Sequence, residues 1–215
     1  MPPFPEPGPS EAVNHGAPTE PRPAASILLI RDRPAGPERL EVLMLKRSAE
    51  SHFMPSVWVF PGGSLDPEDG DGLDGLRACA ARELEEEAGI GLDLATELIP
   101  LARWVTPEVV KLRFDTWFFL ARAPRGAEAR ADGFEMTEAL WIEPGEAVAR
   151  AGAGEMAIVF PTLKQLEALA PAGDVATALD RAAADPNASR PVLPKVIGDE
   201  RHHRVVLPHE DDYPA

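Results

Sequence analysis

Residues 82 to 90 read R-E-L-E-E-E-A-G-I, and four of these nine side chains are acids. Upstream, Leu76, Ala80, Leu84 and Ala88 recur at helical spacing with no proline between, so Leu73 to Ala88 is expected to be a helix with one apolar face. Gly89 supplies its stop. At about 100° per residue, Glu83, Glu86 and Glu87 share a shoulder beside the apolar stripe, while Glu85 points elsewhere. Like charges at i,i+4 cost roughly 0.2–0.5 kcal/mol each, and acids in a last turn oppose the helix dipole by about 0.3–1 kcal/mol each. Stability alone would place Lys or Arg here. The arrangement makes sense if a divalent cation, Mg²⁺ or Mn²⁺, sits over the carboxylates, since hard cations take oxygen ligands. A solvated acidic face in an acidic protein is the plain alternative.

The preceding loop sharpens the choice. Phe60-Pro61-Gly62-Gly63 follows the apolar run Val57-Trp58-Val59, which reads as a strand entering a glycine turn. Gly62 and Gly63 allow close approach of the main chain to a phosphate or metal.

Together these stretches resemble the Nudix hydrolase signature, G-x5-E-x7-R-E-U-x-E-E-x-G-U with U aliphatic. Arg82, Glu83, Leu84, Glu86, Glu87, Gly89 and Ile90 match its second half at every fixed position. The first half departs: Gly63 lies nineteen residues before Arg82, where the signature has fourteen, and the extra residues fall in the acidic loop Asp66 to Gly75. Asp74 occupies the early glutamate's spacing counted back from Arg82, with Glu68 and Asp69 as alternatives. The resemblance implies an α/β/α sandwich with a mixed β-sheet between helices. It also implies hydrolysis of a phosphoanhydride, with Glu83, Glu86 and Glu87 holding Mg²⁺ or Mn²⁺ and Gly63 giving main-chain contacts to metal or substrate. Arg82, whose pKa lies above about 12, then orients Glu83 instead of acting as a base.

Longer stretches resemble the acyl-CoA diphosphatase branch of that superfamily. They include R-S-A-E-S-H-F-M-P-S-V-W-V-F-P-G-G, W-V-T-P, R-F-D-T-W-F-F-L, F-P-T-L and L-P-H-E-D-D-Y-P. Enzymes of the branch cleave CoA and its thioesters to 3′,5′-ADP and a 4′-phosphopantetheine product. A motif proposed for CoA hydrolases, R-S-A-x3-R-x3-G-x3-F-P-G-G, is kept at Arg47-Ser48-Ala49 and Phe60 to Gly63. Phe53 stands in place of its second arginine, and the spacing is one residue short. The peroxisomal tail S-K-L of the animal members is absent. ADP-ribose or a nucleotide sugar is the alternative substrate, and a Nudix-fold binding module without turnover is the non-enzymatic one.

Composition bounds the partners. A formal charge of −15 over 215 residues argues against a nucleic-acid surface and leaves a small nucleotide-diphosphate substrate as the expected partner. No apolar run approaches the roughly 18 residues of a membrane span. The M-P-P-F-P-E-P-G-P start lacks a secretory pattern, so a cytoplasmic protein is expected. Cys79, the single cysteine, reads as packing in the helix. Many family members pair, so a homodimer is an expectation for light scattering to decide.

Residues 1 to 24, rich in proline, read as a flexible tail before a single domain over 25 to 215. Strands are expected at Ala25 to Arg31, Leu40 to Lys46, Glu97 to Thr106 and Leu112 to Ala121, and helices at Gly145 to Ala151, Thr162 to Ala170 and Val175 to Ala184. A short final strand pair is expected at Pro194 to Ile197 and Arg204 to Leu207. Lys46 and Arg47 close the second strand, where either could meet a substrate phosphate, and Arg113 is a further phosphate candidate, with an ion pair to Asp115 as the other account. Trp104, Trp117, Phe118 and Phe119 read as core. His15, His52, His202 and His203 read as solvated or structural. Family members carry an E-x5-W strand with an acid that serves as general base or extra ligand, which makes Glu135 and Glu138 candidates.

Overall fold

The structure, a computed structural model, describes residue 14 and residues 16–33, 39–51, 54–93, 95–198 and 203–214. His15, His52, Phe53 and His202 lie outside the described residues.

Strand β1 (Arg22–Asp32) runs through the middle of the molecule. Its inner residues are buried on both faces, as a central strand covered by helices requires. Along one edge it pairs parallel with β6 (Phe114–Arg122) over nine residue pairs. The other edge is shared. Its far end, Ile30 to Asp32, pairs antiparallel with β2 (Leu40–Arg47), and its near end, Ala24 to Ser26, pairs with β4 (Gly62–Ser64). The strands β1 and β2 therefore diverge, and the wedge between them holds β4 and β3 (Trp58–Val59), the latter paired with Leu45 and Lys46 of β2. β5 (Ile99–Val105) extends the sheet beyond β6, β7 (Met136–Ile142) extends it beyond β2, and β8 (Pro191–Val192) adds to β5.

Alternation along the strands divides the core into two layers. Ile27, Leu29, Leu43, Leu45 and Phe119 face α1 (Gly72–Ala88), meeting Leu76, Cys79, Ala80, Leu84 and Ala88. Leu28, Ile30, Val42, Met44 and Leu120 face α2 (Pro144–Gly152), α3 (Phe160–Leu169) and α4 (Val175–Ala184). The result is the expected α/β/α sandwich around a mixed sheet. Gly89 ends α1 at φ 67°, donating its N–H to the Glu85 carbonyl at 2.9 Å. A separate antiparallel pair, β9 (Lys195–Gly198) and β10 (His203–Val206), stands off the main sheet. Among the described residues no helix is long and apolar enough to cross a membrane.

Two differences from expectation bear on the site. β1 begins at Arg22 instead of Ala25, because Arg22 to Ala24 find partners on β6 that lie 92 residues away in sequence. Both glycines of the turn expected at 60 to 63 belong to a strand, since β1 offers Gly62, Gly63 and Ser64 an open edge.

Candidate active site

A cleft of about 570 Å³ opens at the wedge between β1 and β2. Its charged side carries Glu83, Glu86 and Glu87 from α1, Glu135 and Asp132 from the approach to β7, and Arg47 from the end of β2. Its floor is the outward face of β6, where Phe114, Thr116 and Phe118 alternate, together with Phe60. Ala24, Ala25, Ser26, Gly62 and Gly63 supply a seam of small residues between the two.

Small side chains are required there. A Cβ on Gly63 would overlap the Glu83 carboxylate, and one on Gly62 would overlap the Ala25 carbonyl and Ser26. The glycine turn thus lies directly against the acidic shoulder of α1, and the Gly62 N–H donates to Glu87 Oε2 at 2.9 Å.

Arg82 organises the rest. Its Nε and Nη2 grip both carboxylate oxygens of Asp69 at 2.9 Å, while Nη1 donates to Glu83 at 2.9 Å and to Glu86 at 3.0 Å. Asp69 is itself held, accepting the Asp66 N–H at 2.9 Å in the short 3-10 turn 67–69. The acid of the inserted loop that meets Arg82 is thus Asp69. Asp74 sits at the expected spacing, but its side chain is 96% exposed and pairs with Arg77 instead of Arg82.

Electrostatics mark the two inner acids. Burial pushes Glu87 up to about 8; the Gly62 N–H and the Arg47 charge oppose this, while Glu83 and Glu135 add to it. Glu83 is also raised by burial, against the pull of Arg82. Asp69 is held below its ordinary value by its bonds to Arg82, and Arg82 is raised by the same contact. Burial pushes the Cys79 thiol up to about 12, so at neutral pH it is an inert packing group donating to the Ser64 carbonyl at 3.3 Å.

Two expected site residues lie elsewhere. Glu138 faces Lys46 across the β2–β7 pair, and their side chains bond at 2.7 Å outside the cleft. Neither lines the cleft, whereas Arg47 and Glu135 do. Arg113 is 7% exposed and donates to the carbonyls of Thr106 and Thr19 at 2.9 and 2.6 Å, so it is not a phosphate ligand. Asp115, the partner considered for it, pairs with Arg103. The sequence reading passed over Asp132, whose carboxylate accepts from the N–H groups of Phe134, Glu135 and Met136 and so shapes the turn that carries Glu135. D-G-F-E-M, an acid followed by glycine, was the available signal. Phe118 lies in the core as expected, but its outer edge and Phe114 line the cleft.

The donor set suits a hard divalent cation: carboxylate oxygens on three positions of one helix shoulder, one of them on Glu87, whose burial outweighs the opposing Arg47 charge. Among the described residues no three His, Cys, Asp or Glu groups are already drawn into a closed cage. The hydrogen bonds account for that, since Arg82 holds Glu83 and Glu86 while Glu87 is turned onto Gly62.

Comparison with known proteins agrees with this geometry. The family model of the NUDIX domain matches residues 20–163. "Putative nudix hydrolase 7" of Caenorhabditis elegans is 31% identical over 210 residues, covering 82% of this chain and 68% of that protein. Shorter matches link it to "Peroxisomal coenzyme A diphosphatase ndx-8" of the same organism, 39% identical over 31% of this chain and 26% of that one. "Acyl-coenzyme A diphosphatase NUDT19" of Xenopus laevis is 42% identical over 24% of this chain and 13% of that one. Among solved structures, a NUDIX hydrolase from Alicyclobacillus acidocaldarius superposes with a TM-score of 0.67 at 27% identity, covering 78% of this chain and 99% of that one. A glycine turn pressed on an acidic helix shoulder, and a family match across both, lead to one conclusion: the chain belongs to the Nudix family and is a hydrolase of pyrophosphate bonds.

Proposed function

We propose that the substrate is coenzyme A or an acyl-CoA, cleaved at its diphosphate to 3′,5′-ADP and an (acyl-)4′-phosphopantetheine. The observation that carries this reading is the meeting, in one cleft, of the acidic shoulder of α1 with Arg47 and the Phe60–Gly63 turn, the surviving parts of the CoA-type motif. The matches to named CoA diphosphatases support it.

Glu83, Glu86 and Glu87, with main-chain help from Gly63, would hold Mg²⁺ or Mn²⁺. Such an ion, when bound, offsets phosphate charge and makes a bound water more acidic. Arg82 fixes the directions of Glu83 and Glu86, and Gly62 fixes Glu87. Arg47 presents a cation to a substrate phosphate at the open side of the cleft. Glu135, on the turn shaped by Asp132, accepts the proton of the attacking water; Glu83 is the other acid able to do so. The working unit is one domain whose first strand starts at Arg22, acting on a small-molecule diphosphate in the cytoplasm.

The test is turnover of the purified chain with Mg²⁺ or Mn²⁺ on CoA, acyl-CoA, ADP-ribose, NADH and diadenosine polyphosphates. Preference for CoA compounds is expected. ADP-ribose as the best substrate replaces the reading with the nucleotide-sugar one, and tight binding without turnover of any compound makes the chain a binding module. Glu86→Gln and Glu87→Gln should each cut turnover at least about a hundredfold with the circular dichroism unchanged.

A further inference from the structure

The buried arginine that does not reach the cleft has another task. Arg113 stands between Leu112 and Phe114, both of which line the cleft. Its partners among the described residues are main-chain carbonyls, Thr106 at the start of the 106–114 loop and Thr19 on the segment before β1. Neutral carbonyls compensate a buried guanidinium poorly compared with a carboxylate. A side chain kept there for stability alone would be apolar, so the group is holding pieces of chain in place.

The pieces are well defined. Thr19 returns a bond from its Oγ1 to the Lys111 carbonyl at 2.7 Å, the Asn14 N–H donates to the Val109 carbonyl at 2.6 Å, and the Arg22 N–H donates to the Arg113 carbonyl at 2.9 Å. Asn14 also folds its own neighbourhood, bonding the Ala17 carbonyl and the Gly16 N–H. On the inner side, the Phe114 N–H meets Thr106 Oγ1 at 3.0 Å, and the Phe114 carbonyl accepts from Thr106 at 2.9 Å. Asn14, Thr19 and Arg22 thus fasten the described segment leading into β1 along the loop from 107 to 113. That loop ends in the apolar wall opposite the acids.

We infer that Arg113, Asn14 and residues 16–22 are positioning elements for substrate selection: they fix the wall formed by Leu112 and Phe114 against the non-reacting, ring-bearing half of a nucleoside diphosphate derivative. The inference rests on the cleft being the substrate site, as proposed above. It assigns Arg113 a specificity role exerted through the wall, with no contact to phosphate. A wall held by a separate strap can be loosened while the acidic side, carried by α1, keeps its geometry.

The experiment uses the full chain with Arg113→Met and with Thr19→Val, which deletes a single hydroxyl bond to Lys111. Amide exchange over residues 106–114 is read first, without ligand, and should be about tenfold faster in Arg113→Met and about threefold faster in Thr19→Val. Calorimetric titration with ADP should then show Kd raised by about the same factors, while Kd for inorganic pyrophosphate, which has no ring to meet the wall, stays at the wild-type value. Arg113→Lys, which keeps a donor for one carbonyl, should recover part of the loss. Unchanged exchange, equal weakening for ADP and pyrophosphate, or no ADP binding by wild type overturns the inference. Should Arg113→Met fail to fold, Thr19→Val decides by the same two readings. Neither needs turnover, so failure to hydrolyse CoA would sink the proposed substrate and leave this assignment standing.

Discussion

Glu87→Gln should make the metal-free protein more stable while destroying its activity. Glu87 is 4% exposed, and its carboxyl is pushed from an ordinary 4.5 to about 8, chiefly by burial. A carboxyl that the fold prefers neutral carries no penalty below about pH 4.5. The penalty grows as pH rises and levels off above the folded value of about 8. At 1.36 kcal/mol per unit, that span corresponds to about 5 kcal/mol at the plateau and about 3 kcal/mol at pH 7. Glutamine keeps an oxygen to accept from the Gly62 N–H and carries no charge, so it removes the penalty and keeps the bond. Urea unfolding in the presence of a chelator, at pH 5.5, 7 and 8.5, should show wild type losing stability along the series and the variant staying nearly flat. Excess Mg²⁺ should restore wild type more than the variant, because the cation compensates the charge that burial disfavours. Parallel pH profiles for the two proteins, or a variant less stable than wild type at pH 8.5, would refute the account of Glu87 as an acid whose burial outweighs its partners.

Asp69→Ala should cost about 2–3 kcal/mol in denaturant unfolding, because it removes two charge-assisted bonds from a nearly buried pair. Turnover should fall about tenfold as Arg82 loosens on Glu83 and Glu86. By contrast, Asp74→Ala should stay within about 0.5 kcal/mol, since that side chain is 96% exposed. Gly63→Ala should lower kcat and weaken Mg²⁺ dependence together, because the added methyl displaces the Glu83 carboxylate; an alanine variant with wild-type rates would disprove that contact. Glu135→Gln should reduce kcat by about a hundredfold or more, as loss of a proton acceptor does, whereas Glu138→Gln should change it less than about twofold. Steady-state kinetics at saturating Mg²⁺ distinguish the two.

What was legible in the chain was whatever local periodicity encodes. Helix α1 announces itself through Leu76, Ala80, Leu84 and Ala88 and stops at Gly89, and its acids were recognisable because their types oppose helix stability. The helices of the opposite layer were marked by their Pro, Thr and Asp openings. Features set by distant partners were not legible. Arg22 to Ala24 read as tail because the strand that pairs with them is β6, and Gly62 and Gly63 read as turn because the edge that captures them is β1. Asp69 lost to Asp74 because an inserted loop folds back through its own turn instead of advancing at constant spacing. Arg113 resembles a phosphate ligand in every local respect, and only the carbonyls of Thr19 and Thr106 reveal otherwise. The β6 run W-F-F did carry one usable signal that went unread: period two separates Phe118, toward the cleft, from Trp117 and Phe119, toward α1.

The shared edge of β1 has a mechanical consequence. Because the glycine strand is knitted to β1 while its neighbour Trp58–Val59 is knitted to β2, the two lips of the wedge are bridged by only Phe60 and Pro61 of continuous chain. Any breathing of one lip against the other must be absorbed at Phe60 and Pro61, whose carbonyl is tethered by Ile27 and Ser26. The seam is thus a stiff rivet, and slow solvent exchange at the Ile27 and Gly62 amides would be its signature, whether or not anything occupies the space above.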